Sequence, residues 1–232
     1  MIEFKDVVLQ YHYDDFALLK GVNFALTGGV NTILADTQSG KSSICKLLTK
    51  DVAPNGGEIT VDGVDIGCIT NADLGILYLP SKPTFFANRS VRYNIEYPLN
   101  VRKVAKNECR ATAEKVATAL NIDFLNEKVK KLTEKQCKTV ALARGLTVER
   151  KTVLFDDFFE IDGDVTQTVA HIDDVLSLFG NATCVILTSD TRLARGHTVV
   201  LDGGVTVYDG DVEGAKKVIS ELVWIDESIR SK

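Results

Sequence analysis

The chain has no excess of basic residues, no long apolar run and no paired spacing among its cysteines, and each absence excludes a class of protein. With 27 Lys and Arg against 32 Asp and Glu, the formal net charge is −5, so no global field draws the chain to nucleic acid. No apolar run approaches the ~18 residues that a membrane span requires. The opening MIEFKDVVLQ lacks a basic region followed by a hydrophobic block, and is therefore read as having no signal peptide. The cysteines, Cys45, Cys68, Cys109, Cys137 and Cys184, are odd in number, scattered and never spaced CxxC. Such spacing suits reduced thiols in a cytosolic compartment rather than a disulfide framework or a zinc site. What is present is an ordinary globular composition, 45% hydrophobic and 25% charged. At 232 residues it can bury a core without disulfide or metal staples, as one large domain or two small ones.

The hydrophobic pattern changes character along the chain. Short strands are predicted over 2–9, 21–26 and 31–35, with a tight turn at Gly28 and Gly29. Residues 58–66 alternate around Asp62 and Gly63 and read as a hairpin, and 74–79 as an apolar strand closed by Pro80. Helical spacing then takes over at 105–119 and 134–146. Apolar strands return at 152–155 and 183–187, separated by a helix at 165–179 with a capping box expected between Asp164 and Gln167. A final hairpin is predicted over 199–201 and 205–208, and the polar tail after Trp224 is expected to be loose. Strands alternating with helices imply a mostly parallel α/β sheet with a helical insertion at about 88–150 in a single domain over 1–232.

Residues 35–42 read Ala-Asp-Thr-Gln-Ser-Gly-Lys-Ser, after an apolar strand and before a helix predicted over 42–49. The P-loop pattern is GxxxxGK[ST], and here only its first glycine differs, as Ala35. Such a loop holds phosphate oxygens with backbone N–H groups, here those of Asp36, Thr37, Gln38, Ser39, Gly40, Lys41, Ser42 and Ser43. Lys41 neutralises β- and γ-phosphate charge, Ser42 offers an oxygen to Mg²⁺, and Gly40 lets the backbone approach closely. Asp36 adds a negative charge that opposes the ligand. The second half of a P-loop site is an acid ending a neighbouring strand; Asp156, after 152–155, supplies it as the Mg²⁺ partner.

In order and spacing these residues resemble the nucleotide-binding domain of ABC transporters over essentially the whole chain. Tyr11 matches the aromatic that stacks on adenine, with Tyr13 as a second candidate. GGEITVDGVDI resembles the hairpin after the P-loop helix, and SVRYNIEYPLNVRKV the entry to the helical subdomain of importer-type members, the sugar importers especially. VALARGL follows the signature position, VLFDD takes the Walker B place, and VVLDGGVTVYDG resembles the closing hairpin. The resemblance implies a P-loop NTPase core with an N-terminal antiparallel β subdomain and an α-helical insertion. It also implies ATP and Mg²⁺ as ligands, a transmembrane permease as partner, a homodimer or heterodimer with another ATP-binding subunit, and a peripheral place on the cytoplasmic face of the membrane.

The departures from the family pattern are concentrated where it does chemistry. The signature LSGGQ is Leu132-Thr133-Glu134-Lys135-Gln136, so side chains stand where two glycines would let a helix N-terminus approach the γ-phosphate. Thr133 and Gln136 still form a capping box, and Glu134 suits the helix dipole. Folding is kept while contact with ligand is compromised. The catalytic glutamate is Asp157, one methylene shorter; the Q-loop glutamine is Ser81; the switch histidine is Ser189. Asp162 matches the D-loop aspartate. In this family each ATP lies between one subunit's P-loop and the other's signature, so no dimer containing this chain has a complete site. The implied function is Mg-ATP binding with slow or absent hydrolysis in a transporter subunit. Two alternatives stand: an active ATPase powering sugar-type import, and a regulatory or scaffold module outside transport. The lysines at 128, 130, 131, 135 and 138 are interleaved with Glu127 and Glu134, and are read as a solvated face.

Overall fold

The computed structural model describes residues 1–11, 16–36, 39–161 and 163–222. Strands β1 (Ile2–Leu9), β2 (Leu19–Leu26) and β3 (Val30–Ala35) lead into helix α1 (Lys41–Leu48). Then come β4 (Gly56–Val61), β5 (Val64–Asp65), the short helix α2 (Asn71–Leu74) and β6 (Ile76–Pro80). Three helices follow, α3 (Val91–Val101), α4 (Lys106–Ala119) and α5 (Glu134–Leu146). The chain returns through β7 (Thr152–Asp156), α6 (Val165–Ser177), β8 (Thr183–Thr188), β9 (His197–Asp202), β10 (Val205–Gly210) and α7 (Val212–Glu221). It divides into two compact units, one of Met1–Tyr78 with Lys151–Lys232 and one of Leu79–Arg150. The fold is mixed α/β, as the alternation of strands and helices predicts.

The first unit is built on two sheets. One is four-stranded in the order β2-β1-β4-β5, with β1–β2, β1–β4 and β4–β5 paired antiparallel. Phe4 and Phe24 face each other across it as partners in register, their rings stacked at 4.4 Å. The other sheet runs β10-β9-β3-β8-β7-β6, with β3, β7, β8 and β9 parallel and β10 antiparallel to β9. Its central strand β3 is buried from Asn31 to Ala35, as a strand covered on both faces must be. Asn31 is tolerated there because its Oδ1 accepts from the Thr27 N–H and its Nδ2 donates to the Thr27 carbonyl. Phe155 fills the inner end of β7, with its ring 4.9 Å from Phe159, 5.7 Å from Phe158 and 5.8 Å from Phe179.

The second unit is helical. Val91, Ile95, Ala113, Ala117, Val140 and Ala143 form its core, at the helical spacing visible in the sequence. Ser90 caps α3 by accepting from the Tyr93 N–H. Thr133 and Gln136 form the expected capping box at the start of α5: the Gln136 N–H donates to Thr133 Oγ1 at 3.3 Å, and Gln136 Oε1 accepts from the Thr133 N–H at 2.9 Å. Thr133→Ala removes half of this box and is expected to lower the unfolding free energy by about 1 kcal/mol, read as a lower urea midpoint at unchanged slope. At α6 the expected box gives way to a simpler cap. The Asp164 carboxylate accepts from the Thr166 N–H, two residues on, instead of pairing reciprocally with Gln167.

Candidate functional site

The P-loop, Asp156, Asp157 and Ser189 gather at one edge of the first unit because the three strands that carry them are parallel neighbours. The P-loop follows β3, Asp156 ends β7 and Asp157 follows it, and Ser189 follows β8, and all three strands point the same way. Open α/β sheets bind ligands outside the carboxyl ends of their strands, and these positions lie there.

The loop after β3 turns into α1 at Gly40, whose φ of +94° lies in the left-handed region. A Cβ at Gly40 would stand 2.7 Å from Leu19 Cδ2, so the residue that brings the backbone close also sits tightly on the core. The N-cap of α1 is Gly40, which offers no side chain to the first-turn N–H groups, and the Ser43 N–H turns back to the Gly40 carbonyl at 3.0 Å. Lys41, the first helical residue, is 6% exposed. Its ammonium donates to the carbonyls of Ala35 at 2.8 Å and Asp36 at 3.1 Å. It stands 3.9 Å from Asp157 Oδ2. The α1 face is completed by Ser42, exposed, and Ser43, buried. Ser43 Oγ shares a hydrogen bond of 3.0 Å with the Tyr11 hydroxyl, and the Lys46 ammonium lies 5.4 Å over the Tyr11 ring. Tyr11 thus meets the phosphate-loop helix through both its hydroxyl and its ring. Cys45, one turn into α1, is buried, and burial pushes its thiol well above the usual range with Asp156 and Asp157 adding to the effect. It is inert as a nucleophile.

Asp156 is 5% exposed. Its Oδ2 accepts from the Tyr78 hydroxyl at 2.8 Å, and its Oδ1 is buried with no hydrogen-bond partner among the described residues. A buried carboxylate oxygen lacking a donor is costly unless something else satisfies it. Together with the Ser42 hydroxyl it makes the oxygen donor set that a hard cation such as Mg²⁺ prefers, so the residues present fit that ion. Burial and the bond to Asp156 both raise the Tyr78 hydroxyl above its ordinary pKa, so it remains a donor at neutral pH. Asp157 has φ +44°, a backbone conformation that Asp enters more readily than most residues. Burial raises its carboxyl, Asp156 adds to this, and Lys41 opposes it. Ser189 is exposed. Thr37, Gln38 and Asp162, and with them Tyr13, lie outside the described residues.

The remaining positions belong to the second unit. Ser81 is half-buried in the loop after β6. Thr133 begins α5 with its hydroxyl engaged in the cap, Gln136 closes the box, and Glu134 and Lys135 stand exposed between them. Tyr78 is the residue that sequence reading missed; the one signal was a phenol in the otherwise apolar strand ILYLP.

The sequence profile of the ABC transporter family matches residues 19–160, more than half of the chain. The chain belongs to the ABC transporter family. It is similar to the molybdate/tungstate import ATP-binding protein of Methanocaldococcus jannaschii, at 33% identity over 62% of this chain and 49% of that protein. A sulfate/thiosulfate import ATP-binding protein of Mycobacterium tuberculosis matches at 29% over 87% of this chain and 57% of its own length. The glutamate transport ATP-binding protein of Corynebacterium efficiens matches at 28%, covering 88% of this chain and 89% of that one. The chain spans about half the length of the first of these relatives. Among solved structures, a bacterial Atm1-family ABC exporter with ATP bound superposes with a TM-score of 0.79 over 99% of this chain and 41% of that one. At 23% identity that likeness shows the ABC fold and no more. Among the described residues of this ABC domain, no helix is long and apolar enough to cross a membrane.

Proposed function

We propose that this chain is the ATP-binding subunit of an import-type ABC transporter, which binds Mg-ATP at its P-loop and hydrolyses it slowly or not at all. The observation that carries the binding half is Lys41: a buried ammonium in the first turn of α1, donating to the Ala35 carbonyl and 3.9 Å from Asp157 Oδ2 just beyond a parallel strand. The backbone from Asp36 to Gly40, with the first N–H groups of α1, cradles phosphate oxygens, and Lys41 exchanges its two carbonyl acceptors for phosphate. Tyr11 borders the base, Ser42 and Asp156 hold Mg²⁺, and the ion supplies charge neutralisation of the β- and γ-phosphates.

The hydrolysis half rests on what each substituted residue is able to reach. Asp157 stands at the base position, it is one methylene shorter than a glutamate, and its carboxylate already lies beside Lys41. Ser189 and Ser81 are shorter than the histidine and glutamine they replace. At the start of α5, Thr133 is committed to its cap, and Glu134 brings a negative charge to a position that would face phosphate in a two-subunit arrangement. Docking on a separate permease at the cytoplasmic face of the membrane, and pairing with a second ATP-binding subunit, complete the proposal. An active importer ATPase is the second reading, favoured by the import ATP-binding relatives. Steady-state turnover of the purified chain, with Lys41→Ala as blank, decides between them. The expected rate is well below ~1 per second, and a rate at or above that value would sink impaired hydrolysis.

A further inference from the structure

We propose that Tyr78 is a positioning residue for Asp156: its hydroxyl holds one carboxylate oxygen so that the other stays available to the hydrated cation. The inference rests on the Mg-ATP reading above and deepens it. A carboxylate turns about a broad, roughly two-fold torsion, so its two oxygens are interchangeable unless a donor distinguishes them. Here a donor does. Oδ2 accepts from Tyr78 Oη at 2.8 Å, while Oδ1 is buried and has no partner among the described residues. The donor comes from the neighbouring strand: Tyr78 lies on β6, beside β7 in the sheet, and reaches Asp156 across 78 residues of sequence. Nothing else along Ile76–Pro80 carries a side-chain donor, so the phenol is an isolated polar group in an apolar strand. A hydrogen bond from a hydroxyl to a carboxylate is of the stronger, charge-assisted kind, and it engages one oxygen without transferring a proton. Partners of this sort, one shell beyond the ion, orient the groups that hold it.

Tyr78→Phe keeps the ring and removes only the donor. The chain is loaded with a non-hydrolysable ATP analogue in metal-free buffer and titrated with Mn²⁺, free Mn²⁺ being read by electron paramagnetic resonance. Tyr78→Phe is expected to raise the Mn²⁺ dissociation constant about tenfold. Affinity for the analogue measured in EDTA stays unchanged, which also shows that the variant is folded. In an Asp156→Asn background the same substitution has no further effect, because the group it positions has gone. Equal Mn²⁺ affinity in wild type and Tyr78→Phe, with weaker binding in Asp156→Asn, overturns the positioning role and leaves the nucleotide site standing. Loss of analogue affinity in EDTA by Tyr78→Phe overturns it too, since the ring's role would then be structural. Failure of the wild-type chain to bind the analogue at all overturns both the inference and the reading beneath it.

Discussion

Lys41→Ala is expected to weaken ATP binding about a hundredfold, the equivalent of roughly 3 kcal/mol, while the chain remains folded. The side chain is 6% exposed, and its ammonium lies between the carbonyls of Ala35 and Asp36, with Asp157 Oδ2 at 3.9 Å. A cation so placed is already desolvated, so its attraction for a polyphosphate is little screened by water. Alanine leaves the loop's N–H groups in place but removes the only ammonium donating to the carbonyls of Ala35 and Asp36 among the described residues. Stability should fall less, because water can replace the two hydrogen bonds to carbonyls once the site is opened. Titration with a fluorescent ATP analogue, beside a thermal melt, separates the two effects. An unchanged dissociation constant in a folded variant would remove Lys41 from the site.

Phe155→Ala should be the most damaging core substitution near the site, lowering stability by about 3–5 kcal/mol. Phe155 is fully buried and touches the rings of Phe158, Phe159 and Phe179, so truncation opens a cavity with three aromatic walls that cannot all collapse inward. For a domain of this size the melting temperature should drop by about 6–20 °C. Phe155→Leu refills most of the volume and should lose about 1.5 kcal/mol or less. If alanine and leucine are equally mild in urea unfolding, the aromatic cluster contributes little. Because Phe155 precedes Asp156 on β7, a loosened strand end should also weaken metal binding in the alanine variant.

Features governed by near neighbours in sequence were readable before the fold. The Thr133–Gln136 capping box forms because both hydrogen bonds close within one helical turn. β1 and α5 begin and end where the alternation and the helical spacing indicate. Boundaries set by partners from elsewhere moved. β2 begins at Leu19 rather than residue 21 because Leu19 pairs with Leu9. β6 begins at Ile76 rather than residue 74 because Thr70 caps the turn at Asn71–Leu74, and Gly75 ends it in the left-handed region. Helix α7 is not among the predicted elements, although Asp211 caps it by accepting from the Gly214 N–H and Val212, Ala215 and Ile219 recur at helical spacing. It packs Ala215 and Ile219 against Leu34 and Val200.

The same division runs through the site. The sequence by itself determined the α/β class, and it located the P-loop pattern at 35–42, the acid that ends β7 and the departures from the family pattern at Thr133, Asp157, Ser81 and Ser189. Each of these depends on residue type within a short window, and the chemistry of phosphate, metal and proton transfer constrains that type. Only the tertiary structure decided that Lys41 is lodged on the carbonyls of Ala35 and Asp36, that Tyr11 and Ser43 share a hydrogen bond, and that Tyr78 holds one oxygen of Asp156. The bonds from Tyr11 and Tyr78 join residues 32 and 78 positions apart. The Lys41 bonds are local, but they need a side chain folded back over a buried strand end. Side-chain direction and burial, which no local pattern specifies, made all of these contacts.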